Sequence, residues 1–239
     1  STPGTPLHYA SRDGQFKTIQ SLLQMGAVIN LKDNDNKSPL HFAARYGRLH
    51  TARHLLESHK GHLIINEMDG DGATPLHIAA ANGHSKIVQL LLLKGALLHR
   101  DHKGRTPLHL ASIGGHLQTV TAILLVHSHL LDQTDKDGNC SLTLAALNNW
   151  PAVAATLLSL DCRLIANNEG YTPIDYAIIN RNAEVAKVMV MHAKGEWWWE
   201  YGTLFDRKCC LFILQRRGDH AVENQEVQLS GGGADCQHA

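Results

Sequence analysis

Ala73-Thr-Pro-Leu-His-Ile-Ala-Ala-Ala-Asn-Gly-His84, followed by Ile87-Val-Gln-Leu-Leu-Leu92 and Gly95-Ala96, decides the fold. Thr74 is a helix N-cap, its hydroxyl placed to accept from an amide of the first turn. Pro75 follows at the first helical position, where its fixed φ suits a helix and its missing N–H costs nothing. Leu76, Ala79 and Ala80 make a narrow apolar face that permits close approach, and Gly83 stops the helix. A second helix buries Ile87, Val88, Leu90 and Leu91 and ends at Gly95. Two helices this short cannot close a core alone, so they require neighbours.

The chain supplies them by repetition. The start recurs as Thr5-Pro-Leu-His8, Ser38-Pro-Leu-His41, Thr74-Pro-Leu-His77 and Thr106-Pro-Leu-His109, then degrades to Cys140-Ser-Leu-Thr143 and Thr172-Pro-Ile-Asp175. Successive starts are 33, 36, 32, 34 and 32 residues apart. Ala10, Ala43, Ala79, Ala111, Ala145 and Ala177 hold one register position. Gly14, Gly47, Gly83 and Gly115 hold another, replaced by Asn149 and Arg181 in the last two units. Apolar pairs follow, from Leu22-Leu23 to Met189-Val190. A T-P-L-H-x-A start, a Gly-stopped first helix and a second helix carrying an apolar pair identify the chain as a member of the ankyrin-repeat family. The expected fold is an all-α ankyrin solenoid of six helix-turn-helix units over residues 1–193. Leu7, Leu40, Leu76, Leu108, Leu142 and Ile174 should occupy equivalent buried sites, each unit leaning on its neighbours.

Asp33-Asn-Asp-Asn36, Asp69-Gly-Asp-Gly72, Asp101-His-Lys-Gly104, Asp135-Lys-Asp-Gly138 and Asn167-Asn-Glu-Gly170 read as projecting hairpin fingers between units. The three-residue excess of unit two falls in 57–63, where a longer loop is cheap. Two of the fingers resemble the start of a calcium loop, but the twelfth positions are Ala80 and Ala146 rather than Glu, so turn chemistry is the better account. The four motif histidines stand one per unit and cannot converge on a metal; a hydrogen bond between units is their expected role. No cofactor is expected, and no nucleophile, zinc or phosphate-loop motif nominates a catalytic residue.

Composition agrees with a binding role. Lys plus Arg and Asp plus Glu are 22 each, so no global field draws nucleic acid. No apolar run is long enough to span a membrane. Cys140, Cys162, Cys209, Cys210 and Cys236 form no CxxC pair, which suits a reduced, intracellular setting. Unit one carries interior-type residues such as Leu7, Ile19 and Leu22, and suggests further repeats before Ser1. Residues 194–239 break the period and read as a divergent tail, largely disordered from about residue 215. Within it, Trp197-Trp-Trp199 and Cys209-Cys210 are read as poorly ordered chain rather than as a membrane contact.

The remaining candidates are contact residues on the fingers and first-helix ends: Asn34, Asp35, Lys37, Arg45 and Tyr46 in unit two, and Asp71, Ala73, Asn82, His102, Lys103, Arg105 and Ile113 in units three and four. A Tyr beside an Arg has the composition of a contact hot spot.

Some strings exceed generic ankyrin consensus. Lys37-Ser-Pro-Leu-His-Phe-Ala-Ala-Arg-Tyr-Gly-Arg48, Leu90-Leu-Leu-Leu-Lys-Gly-Ala-Leu-Leu-His-Arg-Asp-His102 and Ala111-Ser-Ile-Gly-Gly115 closely resemble the middle of the long N-terminal ankyrin array of TRPA cation channels. The resemblance implies a fragment of a homotetrameric, calcium-permeable sensory channel of the plasma membrane, with this array on the cytoplasmic side. It implies contact with a protein partner or a neighbouring subunit. Ser11 and Ala52 stand where some members carry cysteine, so no reactive site is carried over. A free-standing cytosolic ankyrin adaptor is the alternative.

Overall fold

A computed structural model describes residues 4–194. In chain order its helices are α1 (Pro6–Asp13), α2 (Phe16–Gln24), α3 (Pro39–Arg45), α4 (Leu49–Glu57), α5 (Gly61–Ile64), α6 (Pro75–Ala81) and α7 (Ser85–Leu93). These are followed by α8 (Pro107–Ile113), α9 (Leu117–Val126), a 3-10 turn (Ser128–Leu130), α10 (Ser141–Leu147), α11 (Pro151–Ser159), α12 (Pro173–Ile179) and α13 (Ala183–Lys194). The tail expectations, Trp197 to Trp199 and Cys209-Cys210 included, lie outside the described residues.

The repeat reading is realised pair by pair. First helices α1, α3, α6, α8, α10 and α12 stack in sequence, and second helices α2, α4, α7, α9 and α11 stack beside them. Thr74 sits extended (φ −89°, ψ 168°) before Pro75 and closes a capping box with His77, which takes the place of the usual Glu or Gln. Thr5, Ser38 and Thr106 do the same with His8, His41 and His109, and Thr172 does so with Asp175. Helix α6 ends at Ala81 with Asn82 as its C-cap, and Gly83 then adopts φ +73°, a left-handed turn that a side chain resists. Asn149 and Arg181 take the same conformation at φ +59° without being glycine.

Leu7, Leu40, Leu76, Leu108 and Leu142 are each at most 1% exposed. The chain of small residues, Ala43, Ala79, Ala111, Ala145 and Ala177, is fully buried and lets the first helices approach closely. Ile174 departs from expectation and is only half-buried. Among the described residues no first helix follows α12 to cover that side. Leu22 and Leu23 are half-buried for the converse reason, since no described helix precedes unit one.

The excess of unit two is not an open loop. It folds into the single turn α5, which packs against α4 and leaves Ile64 at 0% exposure. Burying that side chain stabilises the turn by about 2 kcal/mol, enough to order a short insertion.

Candidate interaction surface

Each finger is built from its first residue. The Asp69 carboxylate oxygen Oδ1 accepts from the amides of Asp71 (3.0 Å) and Ala73 (2.9 Å). Asp33, Asp101, Asp135 and Asn167 repeat this pattern within their own fingers. The acidic residues therefore serve turn chemistry, as their spacing suggested. The fingers are also tied to each other. The amides of Gly70, His102, Lys136 and Asn168 donate to the carbonyls of Asp35, Asp71, Lys103 and Asp137 at 2.8–3.0 Å.

The motif histidines join each unit to the next finger. In His41, Nδ1 faces the Ser38 amide (3.1 Å), so Nδ1 must accept and Nε2 carries the proton. Nε2 then donates to the Ala73 carbonyl at 3.1 Å. His8, His77 and His109 reach the carbonyls of Lys37, Arg105 and Asn139 in the same way, at 2.9, 3.1 and 3.2 Å. Burial holds His41 and His109 down to a pKa of about 4, because a charged ring would lose its water; the accepting carbonyls and nearby Asp69 or Asp135 offset only part of this. His77 is lowered for the same reason. In unit five the pair becomes Cys140 and Thr143, in contact at 3.3 Å. In unit six the Asp175 carboxylate accepts from the Thr172 amide (2.8 Å) and hydroxyl (2.6 Å).

A second set of bridges was not visible in the motif. The residue just after each stop position, immediately before the second helix, reaches back to the end of the preceding unit's first helix. Arg48 Nε donates to the Arg12 carbonyl (2.8 Å) and His84 Nε2 to Arg45 (3.0 Å). His116 Nε2 donates to Ala81 (3.1 Å), Trp150 Nε1 to Ile113 (2.8 Å) and Asn182 Nδ2 to Ala146 (2.8 Å). These carbonyls lie at helix C-termini, where the helix leaves acceptor capacity unused (the Ala146 carbonyl also takes the Asn149 amide), so any donor of suitable reach satisfies them. The detectable signal was a fixed register position occupied by donor side chains of differing type.

The candidate contact residues now divide. Asn34, Asp35, Asp71, His102 and Lys103 are exposed along the finger tips, and Arg45, Tyr46 and Asn82 are exposed at first-helix ends. Ala73 is a correction: it is 6% exposed, and its backbone bonds to Asp69 and His41 hold it inside the finger base. Lys37 and Arg105 share that register position and are part-buried. The Lys37 ammonium pairs with Asp35 at 3.3 Å, and the Arg105 guanidinium with the buried Asp101 carboxylate at 2.7 Å. The Arg105 pairing and two finger amides hold Asp101 below the ordinary carboxylate range against the opposing cost of burial. Ile113 is half-buried, with its carbonyl taken by Trp150.

Among the described residues no group of three or more His, Cys, Asp or Glu side chains is placed to hold a metal. None of the described helices is long and apolar enough to cross a membrane.

The chain is similar to the transient receptor potential cation channel subfamily A member 1 of Drosophila melanogaster, at 55% identity over 188 residues. It is 44% identical over 186 residues to the human channel of the same name. The matches cover 79% and 78% of this chain but only 16% and 17% of those relatives. Among solved structures, the human ASB11 ankyrin repeat domain superimposes with a TM-score of 0.72 at 27% identity, covering 80% of this chain and 85% of that one. An ankyrin repeat domain from Acinetobacter baumannii gives 0.67 at 26%, covering 79% and 97%. The family model for ankyrin repeats matches residues 2–65, 61–130 and 120–196. With its capped helix pairs, finger ladder and histidine bridges, this chain belongs to the ankyrin-repeat family.

Proposed function

We propose that this chain is a non-catalytic interaction and regulatory segment from the cytosolic ankyrin array of a TRPA-like cation channel. The observation that carries the reading is 55% identity, sustained over 188 residues, to one channel of that family. The partner is a protein or a neighbouring subunit of a homotetramer, met through the finger tips and first-helix ends. Asn34, Asp35, Arg45, Tyr46, Asp71, Asn82, His102 and Lys103 supply the side chains. The exposed parts of Lys37, Arg105 and Ile113 border them.

The mechanism follows from how units are joined. Among the described residues each unit bonds to the next through the finger ladder, side-chain-to-carbonyl bridges and stacked helices. A partner that changes one inter-unit angle therefore passes the strain to its neighbour rather than dissipating it in a single globular core. Ion conduction belongs to the parent protein.

The test is a chimera in which this chain replaces the segment it aligns with in the Drosophila channel. Surface expression and agonist-evoked current should be retained. The ASB11 ankyrin domain in the same place should abolish current. Loss of current with this chain as well, despite surface expression, overturns the channel reading and leaves the adaptor.

A further inference from the structure

The last turn of each first helix changes character along the array. Units one and two place Arg12 and Arg45 there, unit three Ala81, and units four to six Ile113, Leu147 and Ile179. At the cationic end, two units converge. The Arg12 guanidinium lies 5.2 Å from the centre of the Tyr9 ring, and that of Arg45 lies 5.9 Å from the centre of the Tyr46 ring. Arg12 also interacts electrostatically with Tyr46, and Arg48 is bonded to the Arg12 carbonyl, so the five side chains form one patch. Tyr9 and Tyr46 are 39% and 44% exposed.

Its charge is only partly compensated. Asp13 pairs with Arg12 at 2.8 Å and feels Arg48, and among the described residues no other carboxylate is ion-paired with this cluster. Arg45 takes part in no ion pair among the described residues. Arg48 spends only Nε on its bridge. Three guanidiniums against one carboxylate is a local excess on a chain whose formal net charge is +0.

Resting on the interaction reading above and sharpening it, we infer that the patch formed by Tyr9, Arg12, Arg45, Tyr46 and Arg48 docks an acidic peptide segment of a protein partner. Charge complementarity selects the carboxylates. The planar Arg45 and Arg48 groups can each take one bidentately. The two phenol rings offer apolar faces for an aliphatic side chain between the acids, the composition of an interface anchor. A membrane surface or nucleic acid fits less well. Both reward a broad run of basic residues, and here the excess is confined to one patch beside Asp13.

The full chain is titrated, by fluorescence anisotropy, with a fluorescein-labelled peptide rich in Glu and Leu, and with its counterpart carrying Gln for Glu. Phosphatidylserine vesicles and a labelled DNA duplex are run in parallel. The Glu peptide should bind, weaken with added salt, and lose about tenfold in affinity on Arg45→Gln. Among the described residues Arg45 donates no side-chain hydrogen bond, so this variant should melt at the wild-type temperature. Lys86→Gln, remote on α7, should change binding less than twofold. Equal binding of the Gln peptide, no loss with Arg45→Gln, or no binding of the Glu peptide overturns the inference. So does Arg45-dependent binding of vesicles or duplex without the peptide. A functional chimera with no peptide binding refutes this inference alone; a silent chimera that still binds the peptide refutes only the channel reading.

Discussion

Acid should loosen the middle of the array before its end. His41 and His109 act as neutral rings whose Nδ1 must accept an amide N–H, and burial lowers both from 6.5 to about 4. A folded-state pKa below the unfolded one means the stabilisation is complete above pH 6.5 and is lost as pH falls towards 4. At pH 5 the cost is about 2 kcal/mol per ring, so the two together remove about 4 kcal/mol of a total of order 5–15. His77 acts with the same sign. Unit five carries Thr143 at that position and unit six caps with Asp175, so neither has a capping ring there. Urea unfolding at pH 7 and pH 5 should show this loss. Native-state hydrogen exchange at pH 5, corrected for intrinsic rate, should open α3 to α9 ahead of α10 and α11. His41→Gln should be less stable at pH 7 and should lose about half of the pH dependence. Equal stability at the two pH values, or acid opening that starts in α10 and α11, would refute the reasoning.

Three further perturbations test packing and backbone. Leu108→Ala empties a fully buried site between units and should cost about 2–5 kcal/mol in urea denaturation, where an exposed Leu125→Ala should cost little. Arg181→Gly relieves a left-handed residue (φ +59°) on an exposed turn and should stabilise by about 1 kcal/mol, read as a raised melting temperature. Trp150→Phe keeps an aromatic ring, though a smaller one, but removes the N–H donated to Ile113, and should cost about 1 kcal/mol with faster amide exchange localised between α8 and α11.

The legible part of this protein is what repeats. Thr74-Pro75 at a helix start, Gly83 at its end and Leu76 with Ala79 on one face are short-range statements. Six copies in register remove the ambiguity that one short helix leaves. The histidine bridge was legible too, because one ring per unit admits a partner only in the adjoining unit. Local propensity could not show that 57–63 folds into α5, since that outcome depends on whether Ile64 finds cover. It could not show that Ile174 is half-buried, which depends on what stacks beyond α12.

The candidate surface was legible only as a band of register positions. Sequence placed Asp71 and Ala73 two residues apart at one finger, but the bonds to Asp69 and His41 turn Ala73 inward and leave Asp71 out. The second ladder escaped because Arg48, His84, His116, Trp150 and Asn182 share a task without sharing a residue type. An orphan carbonyl at a helix end asks only for a donor of the right length, and that demand comes from the neighbouring unit. Sequence alone determined the unit, its count and its caps, because those are set by contacts within about one turn. Tertiary structure decided which polar groups face solvent and which are consumed in joining units, because burial belongs to the stack and to no single helix pair.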